Sequence, residues 1–386
     1  MHGRTRIRFS GYTGNLAETD LLSRLVEEFN ASQPDVRVVY EPVPGQYYPK
    51  ILSMLVADTA PDVFYLDVLY VKPFLAKRIL RPLDEAFERS GLQREQFISR
   101  LYDVFTQDGS VYGVPKDFNT LALFYNEDIF DRWKLAYPDS TWDLSTLRRV
   151  SKQLTRGDGA QQYGFALTHD DVDRYLPVAR MFGATLFDAA GKCTIDSPQA
   201  RRALDYYAGL KLTDRSAIYP SEVGTTKTYD VFGRGLAAMV FEGSWLVPYL
   251  RDAYPKVKYG VAELPAGPAG RSNFLFTVAY VIPRSSRHPD AAWRLIEFLT
   301  SELVQERITF AVPSRRRVAE RYVARHPEYR PILDAVVYAV PYEFGPKGDR
   351  VRERLATMVQ EVFLGAKDAP SALRDVARDI DQINRL

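Results

Sequence analysis

The chain has 386 residues, 46% of them hydrophobic and 26% charged, enough to bury large cores in about two or three soluble domains. Its 51 Lys and Arg against 49 Asp and Glu leave a formal net charge of +2, which indicates neither nucleic acid nor an anionic membrane surface as a partner. One cysteine, Cys193, excludes an internal disulfide and argues against Cys-based metal sites; the four histidines lack metal-ligand spacing, and no cofactor is expected.

Arg6–Phe9 reads as a first strand, followed by the loop Ser10–Asn15. Next comes an amphipathic helix with Leu21, Leu22, Leu25, Val26 and Phe29 on one face. Asn15 and Glu18 have capping-box spacing. Val36–Tyr40 is a second strand, residues 41–46 a loop and Tyr47–Ala57 a second helix. Val63–Leu66 is apolar throughout, as in a central parallel strand, and stops at Asp67, which reads both as the cap of the next helix and as a ligand contact. Strand–helix alternation predicts βαβ units and a parallel sheet, with ligands outside the carboxyl ends of its strands.

Val111, Tyr112 and Val114 predict a strand that Pro115 stops. Lys116, Asp117 and Asn119 then suggest a polar bend, after which Leu121–Tyr125 resumes a buried strand and Asn126 caps a helix. Such a corner is either solvated or lines a cleft. Trp142–Leu154 and Ser197–Lys211 predict helices, and Ala189–Ile195 a hairpin that holds Cys193 as a small strand residue. Ala237–Phe241 is a buried strand, and Gly243-Ser-Trp245 opens a helix. Tyr259–Leu264 and Phe274–Pro283 read as strands, and His288–Thr300 as a helix. The tail reads as two amphipathic helices, Arg350–Gly365 and Ala369–Leu386. No apolar run approaches the ~18 residues of a membrane span, and the N-terminus lacks the apolar core of a signal peptide.

Five segments in order resemble the sugar-binding proteins of ABC importers, the maltose- and trehalose-binding type. They are Phe29-Asn-Ala-Ser-Gln-Pro34-Asp-Val-Arg-Val38; Ala60-Pro-Asp-Val-Phe-Tyr-Leu-Asp67; Val111–Ile129; Gly235-Leu-Ala-Ala-Met239 through Gly243-Ser-Trp245; and Pro313-Ser-Arg315. The resemblance implies an α/β, two-lobed fold of the type II periplasmic-binding-protein class, with a ligand cleft between α/β-sandwich lobes. It assigns 1–116 and 278–314 to the N-terminal lobe and 118–275 and 315–386 to the C-terminal lobe. Hinge crossovers fall near 115–119, 275–279 and 312–317. It also implies hinge closure on a sugar, membrane permease subunits as partners, a monomer, no enzymatic activity, and an extracytoplasmic location whose export signal has been removed, with or without a lipid anchor.

A sugar needs flat aromatic surface for its C–H faces and convergent donors and acceptors for its hydroxyls. Trp245 is the first candidate platform, with Tyr12 and Tyr342 as further walls. Asp67, Asn119, Asp117, Glu41 and Gln46 are the candidate polar contacts, and Arg315 is placed to reach the cleft. Phe276-Thr277 stands where many relatives carry a glycine pair, so Phe276 either fills part of the pocket or adds a wall. The alternatives are a binder of a glycerol phosphate ester using the Arg315 region and a glycoside-processing enzyme using Asp67 and Glu41.

Overall fold

The computed structural model describes residues 4–13, 16–156, 162–308 and 311–385. Its contacts divide the chain into two compact units. The first comprises Met1–Asn119, Phe276–His326 and Pro341–Glu343, and the second Thr120–Leu275, Pro327–Val340 and Phe344–Leu386.

The first unit is built on β1 (Thr5–Ser10), β2 (Val36–Tyr40) and β3 (Val63–Asp67), all parallel, with Ile7 opposite Val38 and Phe9 opposite Val63. Its sheet also holds β4 (Val114–Asn119). In the second unit lie β5 (Ala122–Asn126), β6 (Tyr163–Ala166), β7 (Ala217–Ile218), β8 (Ala237–Glu242) and β9 (Tyr259–Ala262). The sheet of the first unit is completed by β10 (Asn273–Val281), β11 (Val312–Pro313) and β12 (Ala339–Pro341). Its order is β11-β4-β10-β3-β1-β2, and β12 also pairs with β10. Val63, Phe64, Tyr65 and Leu66 are fully buried, which explains the unbroken apolar run of β3. The helix Leu16–Ser32 covers one face through Leu22, Leu25, Val26 and Phe29, each contributing about 1.5–3 kcal/mol of burial. Asn15 lies outside the described residues, so its capping role has no counterpart here.

The expected bend at Lys116–Asn119 is a strand. β10 runs antiparallel to β4 with Val278 opposite Asp117 but Ala279 opposite Pro115, so Lys116 is an extra residue, a β-bulge. Proline has no N–H for the ladder, which favours a bulge there. Buried side chains satisfy the local carbonyls. Ser314 Oγ donates to Pro115 O at 2.6 Å, Gln305 Nε2 to Lys116 O at 2.9 Å and Thr277 Oγ1 to Asp117 O at 2.7 Å. Of the polar residues read as a corner, Lys116 and Asp117 are thus buried within a sheet and Asn119, at the strand end, is half-buried.

The second unit has the order β9-β5-β8-β6-β7, with β8 antiparallel to β5 and parallel to β6. Asn126 caps Glu127–Trp133 through Ile129 N, and Ser197 caps Pro198–Leu212 through Ala200 N. The tail helices are Gly348–Phe363 and Ala369–Arg385.

The third crossover differs from expectation. Residues 315–326 stay in the first unit, and the chain leaves it only at Pro327. The helix Arg316–Arg325 buries Val318, Ala319, Tyr322 and Val323, an apolar stripe that ties it to that unit. Pro341–Glu343 then returns to the first unit.

Candidate functional site

In the first unit, the carboxyl ends of β1 and β3 converge on an aromatic and acidic cluster. Tyr12, just past β1, is pinned by a bridge to Val43 and meets Tyr47 and Tyr65 edge-on, with ring centroids 5.6 and 5.5 Å apart. Tyr48 stacks on Tyr70 at 3.7 Å, and its hydroxyl accepts from Asp67 N at 2.6 Å. Asp67 ends β3 and caps the helix Val68–Ala76, Oδ1 accepting from Leu69 N at 2.9 Å. Its side chain still reaches solvent, yet its carboxyl is raised to about 6. Burial is the main cause, the Leu69 N–H opposes it, and the charge of Asp117 adds to it.

Beneath lies the ion cluster of the bulge. Lys116 Nζ donates to Glu18 Oε1 at 2.6 Å and Asp117 Oδ2 at 2.5 Å, and sits 5.0 Å from the centre of the Tyr65 ring. The Tyr65 hydroxyl donates to the same Glu18 oxygen at 3.2 Å. Burial pulls the Lys116 ammonium toward neutrality, but Asp117 and Glu18 outweigh it and hold the ammonium well above its ordinary range. Two carboxylates, Glu18 and Asp117, thus hold one lysine, and Asp117 in turn lies close enough to Asp67 to raise it.

At the same unit's chain crossings, Asn119 pairs with Phe276, and the Phe276 ring lies 4.8 Å from that of Tyr342. Asn119, Phe276 and Tyr342 form a second small group there. Thr277 is buried and its hydroxyl bonds to the backbone of β4, so it shapes the strand rather than offering a donor.

Three sequence candidates are placed elsewhere or committed elsewhere. Glu41 is held by Arg8, accepting from Nε at 2.9 Å and from a terminal guanidinium nitrogen at 2.7 Å. Arg315 is 7% exposed, donates to Thr300 O and, at 3.0 Å, to Gln96 Oε1, and lies over Phe97. It fastens its own unit together, because a buried guanidinium must spend its donors locally. Gln46 is exposed at a left-handed turn (φ 46°), before the helix Tyr47–Val56, and makes no capping bond.

In the second unit, Trp245 opens the helix Leu246–Ala253 just past β8. Its indole N–H donates to Glu242 Oε2 at 2.7 Å, and the same oxygen accepts from Arg174 at 2.7 Å. Thr228 Oγ1 donates to Glu242 Oε1, and Arg174 also reaches Phe241 O at 3.2 Å. Glu242 is 1% exposed, while Trp245 is half-buried. A Cβ on Gly243 would stand 2.3 Å from the Trp245 ring, so the glycine of Gly-Ser-Trp makes room for the indole. Asp171, the other carboxylate beside Arg174, is raised to about 7 by burial, which the Arg174 charge opposes.

Tyr48, Arg174 and Glu242 escaped the sequence reading, while Glu18 was read only as a capping-box residue and Lys116 only as part of a polar bend. Glu242 carried a signal: it ends an apolar strand as Asp67 does. The Cys193 thiol is pushed up to about 11 by burial, as suits an unreactive strand-like residue. Among the described residues no group of acidic, His or Cys side chains could hold a metal ion, and no helix is long and apolar enough to cross a membrane.

The family model described as "Bacterial extracellular solute-binding protein" matches residues 13–306. A putative binding protein of Brucella abortus is 22% identical over 92% of this chain and 87% of its own length. The arabinooligosaccharide-binding protein of Bacillus subtilis is 24% identical over 77% and 69%. Among solved structures, an ABC substrate-binding protein of Listeria monocytogenes in complex with cycloalternan aligns with a TM-score of 0.87 at 21% identity, over 98% of both chains. UgpB of Mycobacterium tuberculosis in complex with glycerophosphocholine aligns at 0.84 and 19%, over 99% of both. These alignments show the α/β fold of two-lobed solute-binding proteins.

Proposed function

The chain belongs to the bacterial extracellular solute-binding protein family, and from that premise we propose that it is the substrate-binding subunit of an ABC importer whose solute is a sugar. It binds and does not transform its solute. The observation that carries the sugar reading is Trp245, a half-buried indole locked at a strand end by a buried carboxylate. A fixed ring is a platform for a C–H face at little entropic cost.

In this reading Trp245 stacks, and Tyr12 forms a second wall. Asp67 supplies an acidic acceptor and Asn119 an amide, a charged acceptor giving roughly twice the strength of a neutral one, while Asp117 is buried and spent on Lys116. Phe276 and Tyr342 narrow the site. Lobe closure at the chain crossings commits the solute, and membrane permease subunits receive it from a monomeric protein in the periplasm or anchored by lipid at the cell surface.

UgpB, whose bound ligand is a phosphodiester, supports a second reading as a binder of a polyol phosphate. The charges argue against it. Arg315 is committed within its unit, Arg174 is held by Glu242 and Asp171, and the cluster around Lys116 is acidic. Calorimetric titration with maltose, maltotriose and arabino-oligosaccharides on one side and glycerophosphocholine on the other tests the choice. Binding of a sugar with compaction in solution scattering is expected. Binding of glycerophosphocholine alone would reverse the assignment.

A further inference from the structure

Next to Trp245 the second unit carries an aromatic patch that the site described so far does not use. The helix Thr228–Gly233 brings Tyr229, and the helix Leu246–Ala253 brings Tyr249. Their rings meet edge-on at 4.5 Å, and Tyr254 follows 6.0 Å from Tyr249. All three are half-buried. Asp230 ties the patch down, accepting from the Tyr249 hydroxyl, from that of Tyr254 at 3.2 Å and from Thr225 Oγ1 at 2.6 Å.

The patch is continuous with the Trp245 platform. Thr228, adjacent to Tyr229, donates to the Glu242 carboxylate that also holds the Trp245 indole. Tyr249 lies four residues after Trp245, about 6 Å along a helix and on nearly the same face. Helical side chains lean toward the N-terminus, which carries Tyr249 back toward Trp245. Tyr249, half-exposed with its hydroxyl fixed on Asp230, keeps flat apolar surface at the water boundary, the surface a sugar ring covers, and beside it the Lys227 ammonium lies 5.1 Å from the centre of the Tyr229 ring.

We propose that Tyr249 and Tyr229 extend the Trp245 platform into a further subsite, so that the solute is an oligosaccharide whose next ring stacks on this pair. The proposal rests on Trp245 being the stacking platform. A monosaccharide on Trp245 leaves the tyrosines uncovered, whereas a second ring, about one turn of helix further on, gains their contact.

The test is calorimetry on the full chain with three ladders from mono- to tetrasaccharide: glucose followed by maltose to maltotetraose, glucose followed by cellobiose to cellotetraose, and arabinose to arabinotetraose. Affinity within the bound ladder should rise beyond the monosaccharide. Tyr249→Ala should weaken binding of the di- and longer saccharides about tenfold, the size of one aromatic contact, and leave the monosaccharide within about twofold. Tyr249→Phe, which keeps the ring and loses the bond to Asp230, should behave as the parent. If Tyr249→Ala fails to fold, Tyr229→Ala, which spares the Asp230 bonds, carries the same expectation. Affinity independent of chain length, or an equal loss at every length, overturns the extended subsite. Trp245→Ala without effect, or no binding to any ladder, overturns the sugar reading beneath it.

Discussion

The two units solve one problem with opposite chemistry. At the strand ends of the first unit, tyrosines surround three carboxylates and one lysine, and the acidic groups themselves line the cluster. At the strand end of the second unit, the carboxylate is fully buried, its charge is matched by Arg174, and what it presents is an indole ring. The first arrangement offers hydrogen-bond acceptors, and the second offers a surface. A polyhydroxylated ring with apolar faces needs both. The contrast also separates stability from binding. Lys116 is buried among charges that cannot be hydrated, whereas Trp245 is only half-buried, so losses at the two positions should fall on different measurements.

The largest effect is expected at Lys116. Lys116→Met leaves Glu18 and Asp117 buried without their cation and should lower stability by about 3–5 kcal/mol, read from urea unfolding. A loss under 1 kcal/mol would mean that water reaches the cluster, and the contrast would dissolve. Trp245→Ala should instead weaken sugar binding by roughly 1–3 kcal/mol, and titration calorimetry showing unchanged affinity would remove it from the site.

Asp67 sharpens the comparison through pH. Its folded carboxyl titrates at about 6, above the unfolded value of 3.8, so its contribution to stability is complete below the unfolded value and is lost as pH rises through about 6. Binding runs the other way, because hydroxyls donate to the carboxylate form. Affinity should therefore fall as pH drops through about 6, and Asp67→Asn, which can still cap the helix, should flatten that profile. A profile unchanged by the substitution would place the titration elsewhere. The smallest effect belongs to Glu41→Ala, which removes a half-exposed ion pair and should cost at most about 1 kcal/mol of stability with no change in sugar affinity. A marked loss of affinity would return Glu41 to the site.

Much of the architecture was legible from local pattern. The apolar run Val63–Leu66, the capping residues Asn126 and Ser197 and the amphipathic tail helices each announce their element through near neighbours in the chain. Trp245 and Asp67 stood out because a conspicuous side chain at the end of a buried strand has little to do in a core. The strand at Val114–Asn119 was misread because a proline followed by two charges resembles a turn, and only pairing with β10 turns the extra residue into a bulge.

By itself, then, the sequence determined the class of the fold, the strand ends that carry chemistry and the kinship that points to a solute. Tertiary structure decided which charged groups are spent on one another. Arg8 claims Glu41 from 33 residues away, Gln96 meets Arg315 across 219 residues, and Arg174 reaches Glu242 across 68. The reason is range: helix and strand signals repeat within a few residues, whereas the partner of a buried charge is set by which strands lie side by side.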